Sequence, residues 1–140
     1  MFVGTYEHSL DDKGRLVLPP TYRGRLIEGG FVSTLGLCLA LWTPPEYEAF
    51  VERLLAQVRE KQTTPDAVRT FTANTHEIKP DGQGRITIPA TLRTLASLQG
   101  TVVLTGARDR IELRTTEQWA QVNATGSADL VEAVTNLGIL

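Results

Sequence analysis

Two stretches of this chain decide its fold: DDKGRLVLP at residues 11–19 and DGQGRITIP at residues 81–89. Asp11 falls on Asp81, Gly14 on Gly84, Arg15 on Arg85 and Pro19 on Pro89, at an offset of 70 residues. The match continues outward, with Thr21 on Thr91, Arg23 on Arg93, Gly30 on Gly100 and Gly36 on Gly106. Self-similarity at a fixed offset marks a duplicated structural unit. Two copies are too few for a solenoid, which needs about three. They suit a pseudo-two-fold domain in which each copy covers the other's apolar face.

Each unit can be read from its motif. TYEHSL and HEIKP are short strands entering a turn. Asp at the turn start accepts backbone N–H groups, and Gly at its end supplies a tight or left-handed conformation. RLVLP and RITIP then alternate: Leu16 and Leu18 share one face, as do Ile86 and Ile88, while Arg15, Val17, Arg85 and Thr87 take the other. Each Arg therefore points outward at the base of a loop while its neighbour enters the core. Pro19 and Pro89 end the strands, lacking a donor for the ladder, and suit a helical first turn. Short helices follow, with Tyr22, Leu26, Leu92 and Leu95 expected inward. FVSTLG, LCLALW, TVVLTG and RIELR complete the strands, and ARDR joins the last two as a hairpin turn.

Helices follow the units. Thr43 and Glu46 form an expected capping box around two prolines, ahead of an apolar stripe of Tyr47, Phe50, Val51, Leu54 and Val58. Thr115 and Gln118 stand in the equivalent place, and Thr64-Pro65-Asp66 starts another helix carrying Val68 and Phe71. Gly126 and Ser127 are expected to break the chain before a last helix bearing Leu130, Val131, Val134 and Leu137. The expected fold is mainly β with short helices (α+β). Its divisions are repeat 1 at 5–47, a helical connector at 48–75, repeat 2 at 76–119 and a C-terminal helical segment at 120–140.

Several function classes do poorly. The chain is 41% hydrophobic and 21% charged over 140 residues, enough for a core without disulfides or metal. Cys38 is alone, sits in an apolar run and reads as a buried thiol in a reducing cytoplasm. The apolar run at 31–42 is too short for a bilayer and is interrupted by Gly36, and no targeting segment follows Met1. His8 and His76 do not coincide across the repeat, and no metal-type His or Cys spacing occurs. No nucleophile elbow or phosphate-binding loop is present. Asp11 and Asp12 are paired acids, but Gly82 breaks the pair in the second unit. We therefore expect no enzyme, cofactor, metal site, small-molecule substrate or membrane partner.

The net charge of −2 argues only weakly against nucleic acid, because the field at one face is what matters. Between His76 and Arg114 bases outnumber acids, which places basic groups near the motif. One reading of D-x-x-G-R is structural: Asp11 and Asp81 cap turns and each Arg braces its Asp. The other presents Lys13, Arg15, Gln83 and Arg85 to an anionic polymer. Arg suits bidentate contact with guanine, and Lys suits phosphate. The two are compatible, since a nearby Asp holds Arg in a productive rotamer. Arg23 and Arg93 serve phosphates or brace the fold with equal weight.

The stretches MFVGTYEHSLDDKGRLVLPPTYR and HEIKPDGQGRITIPATLR resemble the MraZ family of bacterial transcriptional regulators, built from two SpoVT-AbrB-type units. The resemblance covers about residues 1–125. It implies a swapped-hairpin-type β-barrel closed within one chain, and assembly into a homo-oligomeric ring. It implies binding to repeated boxes of double-stranded DNA upstream of the division and cell-wall gene cluster, with repression of that cluster and its own gene. It places the protein in the cytoplasm, at the nucleoid, and carries the motif roles to Asp11, Arg15, Asp81 and Arg85. The rival reading is a protein-interaction module, an antitoxin-like barrel gripping a partner through residues 120–140.

Overall fold

The computed structural model describes residues 1–139; Leu140, the last residue of the expected C-terminal segment, lies outside them. The elements run in chain order as β1 (Thr5–Ser9), β2 (Arg15–Val17), α1 (Pro20–Arg25), β3 (Gly30–Thr34), β4 (Leu39–Trp42), α2 (Pro44–Arg59) and α3 (Pro65–Ala73), then β5 (His76–Ile78), β6 (Arg85–Thr87), α4 (Ala90–Leu95), β7 (Thr101–Gly106), β8 (Ile111–Arg114) and α5 (Thr116–Asn136). The expected α+β class holds.

The two units interlock strand by strand. A six-stranded antiparallel sheet has the order β1-β7-β8-β4-β3-β5, and a separate two-stranded ribbon pairs β2 with β6. The first strand of each unit thus pairs with the third strand of the other: Thr5 opposite Thr105, and Ile78 opposite Gly30. β4 and β8 meet at the centre, with Leu39 opposite Leu113. β1 and β5 are the sheet's edges. His8 and His76 sit one on each edge strand, opposite Val102 and Val32.

The alternation read from the motif sets the core. Leu16, Leu18, Ile86 and Ile88 are fully buried and pack with Val32, Leu41, Val102, Leu104, Ile111 and Leu113. Burying each such side chain contributes about 1.5–3 kcal/mol. The ribbon thereby covers the inner face of the sheet, with Tyr22 of α1 and Leu92 of α4 sealing its flanks. On the outer face Trp42, Tyr47 and Phe71 form a second cluster under α2 and α3, joined by Phe31, Phe50 and Leu54. Ser33 Oγ donates to the carbonyl of Phe71 at 3.0 Å, fixing α3 to β3. Cys38 is buried, and desolvation pushes its thiol pKa up.

Three expectations are corrected. Leu95 is exposed; Ala96 and Leu98 are buried in its stead, because α4 ends at once and Ser97 takes a left-handed φ of 55° that turns the chain inward. Gly126 and Ser127 do not break the chain: α5 runs unbroken across them. A mid-helix Gly costs about 1 kcal/mol against Ala, less than a helix this long must lose to break. At Thr43 only half of the capping box forms, Oγ1 accepting from Glu46 N at 3.4 Å. The complete box is at Thr115 and Gln118. Among the described residues, no helix is long and apolar enough to cross a membrane.

Candidate nucleic-acid interface

The two motif loops are built alike, atom for atom. Asp11 Oδ1 accepts from the backbone N–H of Lys13 at 2.9 Å and of Arg15 at 2.8 Å. Its Oδ2 accepts from Arg15 Nε at 2.6 Å. Asp81 repeats this with Gln83 N and Arg85 N, both at 2.9 Å, and Arg85 Nε at 2.8 Å. Each turn closes when the Gly N–H donates to the Asp carbonyl, Gly14 to Asp11 at 3.0 Å and Gly84 to Asp81 at 2.9 Å. Gly14 and Gly84 have φ of 75° and 76°, a conformation that residues with a Cβ rarely adopt.

The carboxylates are held charged. Hydrogen bonding from the Arg85 backbone N–H, reinforced by the Arg85 side chain and the Gln83 N–H, lowers the Asp81 pKa to about 2. The Arg15 backbone N–H likewise lowers that of Asp11. A depressed folded-state value makes the Asp81 contribution complete above the unfolded carboxylate value of about 3.9. It is lost as pH falls through about 2. Following the Gln83 and Arg85 amides by NMR during acid titration should give a midpoint near 2; a midpoint near the ordinary Asp value would mean that the loop hydrogen bonds are not kept in solution.

The ribbon decides where the arginines go. In its register Arg15 opposes Thr87 and Val17 opposes Arg85. Paired residues share a face, as do alternate residues on one strand. Arg15, Val17, Arg85 and Thr87 therefore project from one outer face, opposite buried Leu16 and Ile86. Arg15 and Arg85 are diagonal neighbours across the ribbon, a separation of roughly 7–8 Å between Cα atoms. Lys13 and Gln83 are exposed at the loop tips.

An exposed ion pair adds little to stability, so the Asp–Arg pairs matter chiefly for orientation. Each Asp engages only Nε of its Arg. Among the described residues, both terminal nitrogens of Arg15 and Arg85 make no protein hydrogen bond. The end-on fork that a guanine O6/N7 edge or a phosphate accepts is left open.

The wider basic stretch divides. Arg110 and Arg114 pair with Glu112, each at 2.8 Å, and Arg110 also with Asp109 at 3.0 Å. Arg110 lies in the turn before β8, past the Gly106 end of β7, and Glu112 and Arg114 lie along β8 opposite Thr105 and Val103, whereas β1 delivers the Asp11 loop at the Thr101 end. Of this basic stretch, Arg110 and Arg114 are thus committed to acids around β8, whereas Arg85 and Arg93 stand at the motif loops. Sequence reasoning also missed how the loops are supported. The Arg93 guanidinium lies over Gly14, where an added Cβ would come within 2.7 Å of it, and Arg23 lies in the same way over Gly84. The only signal was that both arginines recur at the repeat offset.

Comparison with known proteins agrees with the duplication. The family model described as "MraZ protein, putative antitoxin-like" matches residues 1–69 and again 71–137. The chain is similar to proteins named transcriptional regulator MraZ. It is 39% identical to the one from Salinispora tropica, over 96% of this chain and 97% of that protein. It is 38% identical to the one from Salinispora arenicola, over 94% of each. It is 33% identical to the one from Syntrophomonas wolfei, over 98% of this chain and 96% of that protein. With a family model matching both halves and relatives aligned nearly end to end, this chain belongs to the MraZ family.

Proposed function

We propose that the protein is a sequence-specific, DNA-binding transcriptional regulator whose reading surface is the β2–β6 ribbon with its two flanking loops. The observation that carries this is the pair of outward guanidinium forks, Arg15 and Arg85, held in matching orientation on one face. In this reading Arg15 and Arg85 contact base edges, Lys13 contacts phosphate, Gln83 adds a polar contact, and Asp11, Gly14, Asp81 and Gly84 shape the loops. The names of the related proteins support transcription regulation. The resemblance extends the proposal to repression of the division and cell-wall cluster, including the protein's own gene, in the cytoplasm at the nucleoid. The ribbon packed on the sheet supports a barrel-like frame of two SpoVT-AbrB-type repeats, which we divide at the boundaries expected from sequence.

A single ribbon offers few contacts, so useful affinity calls for several linked copies, whose effective concentration multiplies binding. The surface of α5 supports self-assembly, in a ring by resemblance: the helix has no buried residue. Leu130 and Val131 are 63% and 58% exposed. The same face is what the rival, a protein-interaction module, would use. A pull-down with and without 120–140 separates them: the rival survives only if a partner is lost on truncation while DNA binding persists.

The test is fluorescence anisotropy with DNA from just upstream of the protein's own gene, against a scrambled duplex. Preferential binding is expected, and equal affinity for both duplexes would reject sequence reading. Lys13→Ala should weaken both duplexes alike and reduce the salt slope by about one counterion-release increment per binding subunit. An unchanged slope would remove Lys13 from the phosphate contacts.

A further inference from the structure

We infer that Arg23 and Arg93 are crossed positioning residues: each, from the short helix of one repeat, holds the motif loop of the other repeat in its DNA-contacting shape. The inference rests on the reading of those loops as the DNA surface, and it settles between bracing and phosphate contact for both arginines.

Three observations converge. First, contacts cross between repeats. Arg23 of α1 lies against Gly84, and Arg93 of α4 lies against Gly14. Both glycines are buried with positive φ, so the missing side chain admits the flat guanidinium as well as the turn. Second, the contact closes a circuit. Leu18 N donates to the Gly84 carbonyl at 2.9 Å, and the Leu18 carbonyl accepts from Arg23 Nη2 at 3.5 Å. In the other half Ile88 N donates to the Gly14 carbonyl at 2.8 Å, and the Ile88 carbonyl accepts from Arg93 Nε at 3.0 Å. One strand-end residue therefore grips both the loop glycine and the arginine lying on it. Third, both side chains are partly buried, and Arg23 Nε is buried with no partner among the described residues. An unpartnered buried donor is costly, and an apolar side chain would fill the space without that cost. A planar guanidinium lodged against the glycine of the motif loop gives it a use: it sets the loop's shape.

The residue carrying the reading fork therefore has two supports. Arg85 is oriented by Asp81 within its own repeat and by Arg23 from the other, and Arg15 by Asp11 and Arg93. Each loop takes its form only once both repeats have assembled.

The experiment has a free-protein arm and a DNA arm, using the full chain. In the free protein, Arg23→Gln should move the NMR amide signals of 81–85 and leave those of 11–15 near wild type. Arg93→Gln should do the reverse. Shifts confined to the variant's own loop, or absent from both, would overturn the inference whatever the DNA arm gives. Thermal melting checks that each variant is folded. Arg23→Lys keeps stem and charge without the flat fork, and should still displace the 81–85 signals.

With the upstream duplex, Arg23→Gln should weaken specific binding about five- to tenfold, the lower part of what one bidentate base contact carries. The loss should persist with Arg15→Ala and vanish with Arg85→Ala, since two changes acting through one loop do not add. The salt slope should be unchanged. A reduced slope, additivity with Arg85→Ala, or full rescue by Arg23→Lys would identify a direct phosphate contact and overturn the positioning role. If Arg85→Ala alone binds like wild type, the loop's reading role fails, and the amide shifts still decide the crossed support.

Discussion

Arg15→Ala and Arg85→Ala should each weaken binding to the upstream duplex by about 1–3 kcal/mol, the size of one bidentate base contact. The double variant should retain little more than salt-dependent, non-specific affinity. The two forks are separate, each held by its own Asp through Nε, so their losses should nearly add. Circular dichroism and thermal melting should change little, because both side chains stand on the outer face while Leu16 and Ile86 keep the core. The repeat makes a sharper demand. Each single variant should relax discrimination at a different base, and each should do so by a similar factor, because the two loops share one hydrogen-bond pattern. Competition by duplexes carrying single-base changes measures this. Wild-type preference in the double variant would take the reading role away from the ribbon.

Trp42→Ala should produce the largest loss of stability, about 3–5 kcal/mol for a large aromatic removed from a packed site. Trp42 is fully buried on β4. It meets Tyr47 edge-on at 5.9 Å and Phe71 at 5.5 Å between ring centroids, and Phe50 at 5.2 Å. Removing it takes away the surface on which α2 and α3 rest. At about 3–4 °C per kcal/mol for a chain this long, the melting temperature should fall by roughly 10 °C or more. Trp42→Phe should cost under half as much. It leaves a smaller void and also removes an indole N–H that has no acceptor among the described residues, a saving that partly offsets lost packing. Neither change touches the ribbon on the sheet's opposite face, so DNA affinity measured well below the transition should be retained. Equal losses for Ala and Phe would mean that the indole makes a contact the ring cluster does not explain.

What the sequence could say depended on distance along the chain. Alternation within RLVLP and RITIP is local, and it placed Leu16, Leu18, Ile86 and Ile88 inside and both arginines outside. Turn chemistry is local too, and Asp11 and Asp81 accept the backbone groups that their position in the turn suggested. Thr115 with Gln118 marked the start of α5. Errors came where one local rule competed with another. Leu95 continues the helical spacing, but a left-handed Ser97 ends the helix and sends Leu98 inward. Gly126 carries a breaker's propensity, yet no turn there requires it: its φ is not positive and nothing lies within 4 Å of the space a Cβ would take. The pairing of β1 with β7 and β3 with β5, and the lodging of Arg23 on Gly84, span the two repeats. The duplication promised that each copy covers the other, but no residue in a single copy says which loop lies beneath which helix.

In the proposed function two loops, 70 residues apart, act as one DNA surface on a shared ribbon. Mapping NMR amide shifts of the full chain during titration with the upstream duplex tests it most directly. Shifts of comparable size should appear at 11–17 and 81–87 together, with the outer cluster around Trp42 unmoved. Shifts at one loop alone, or centred on α5 with both loops silent, would contradict it.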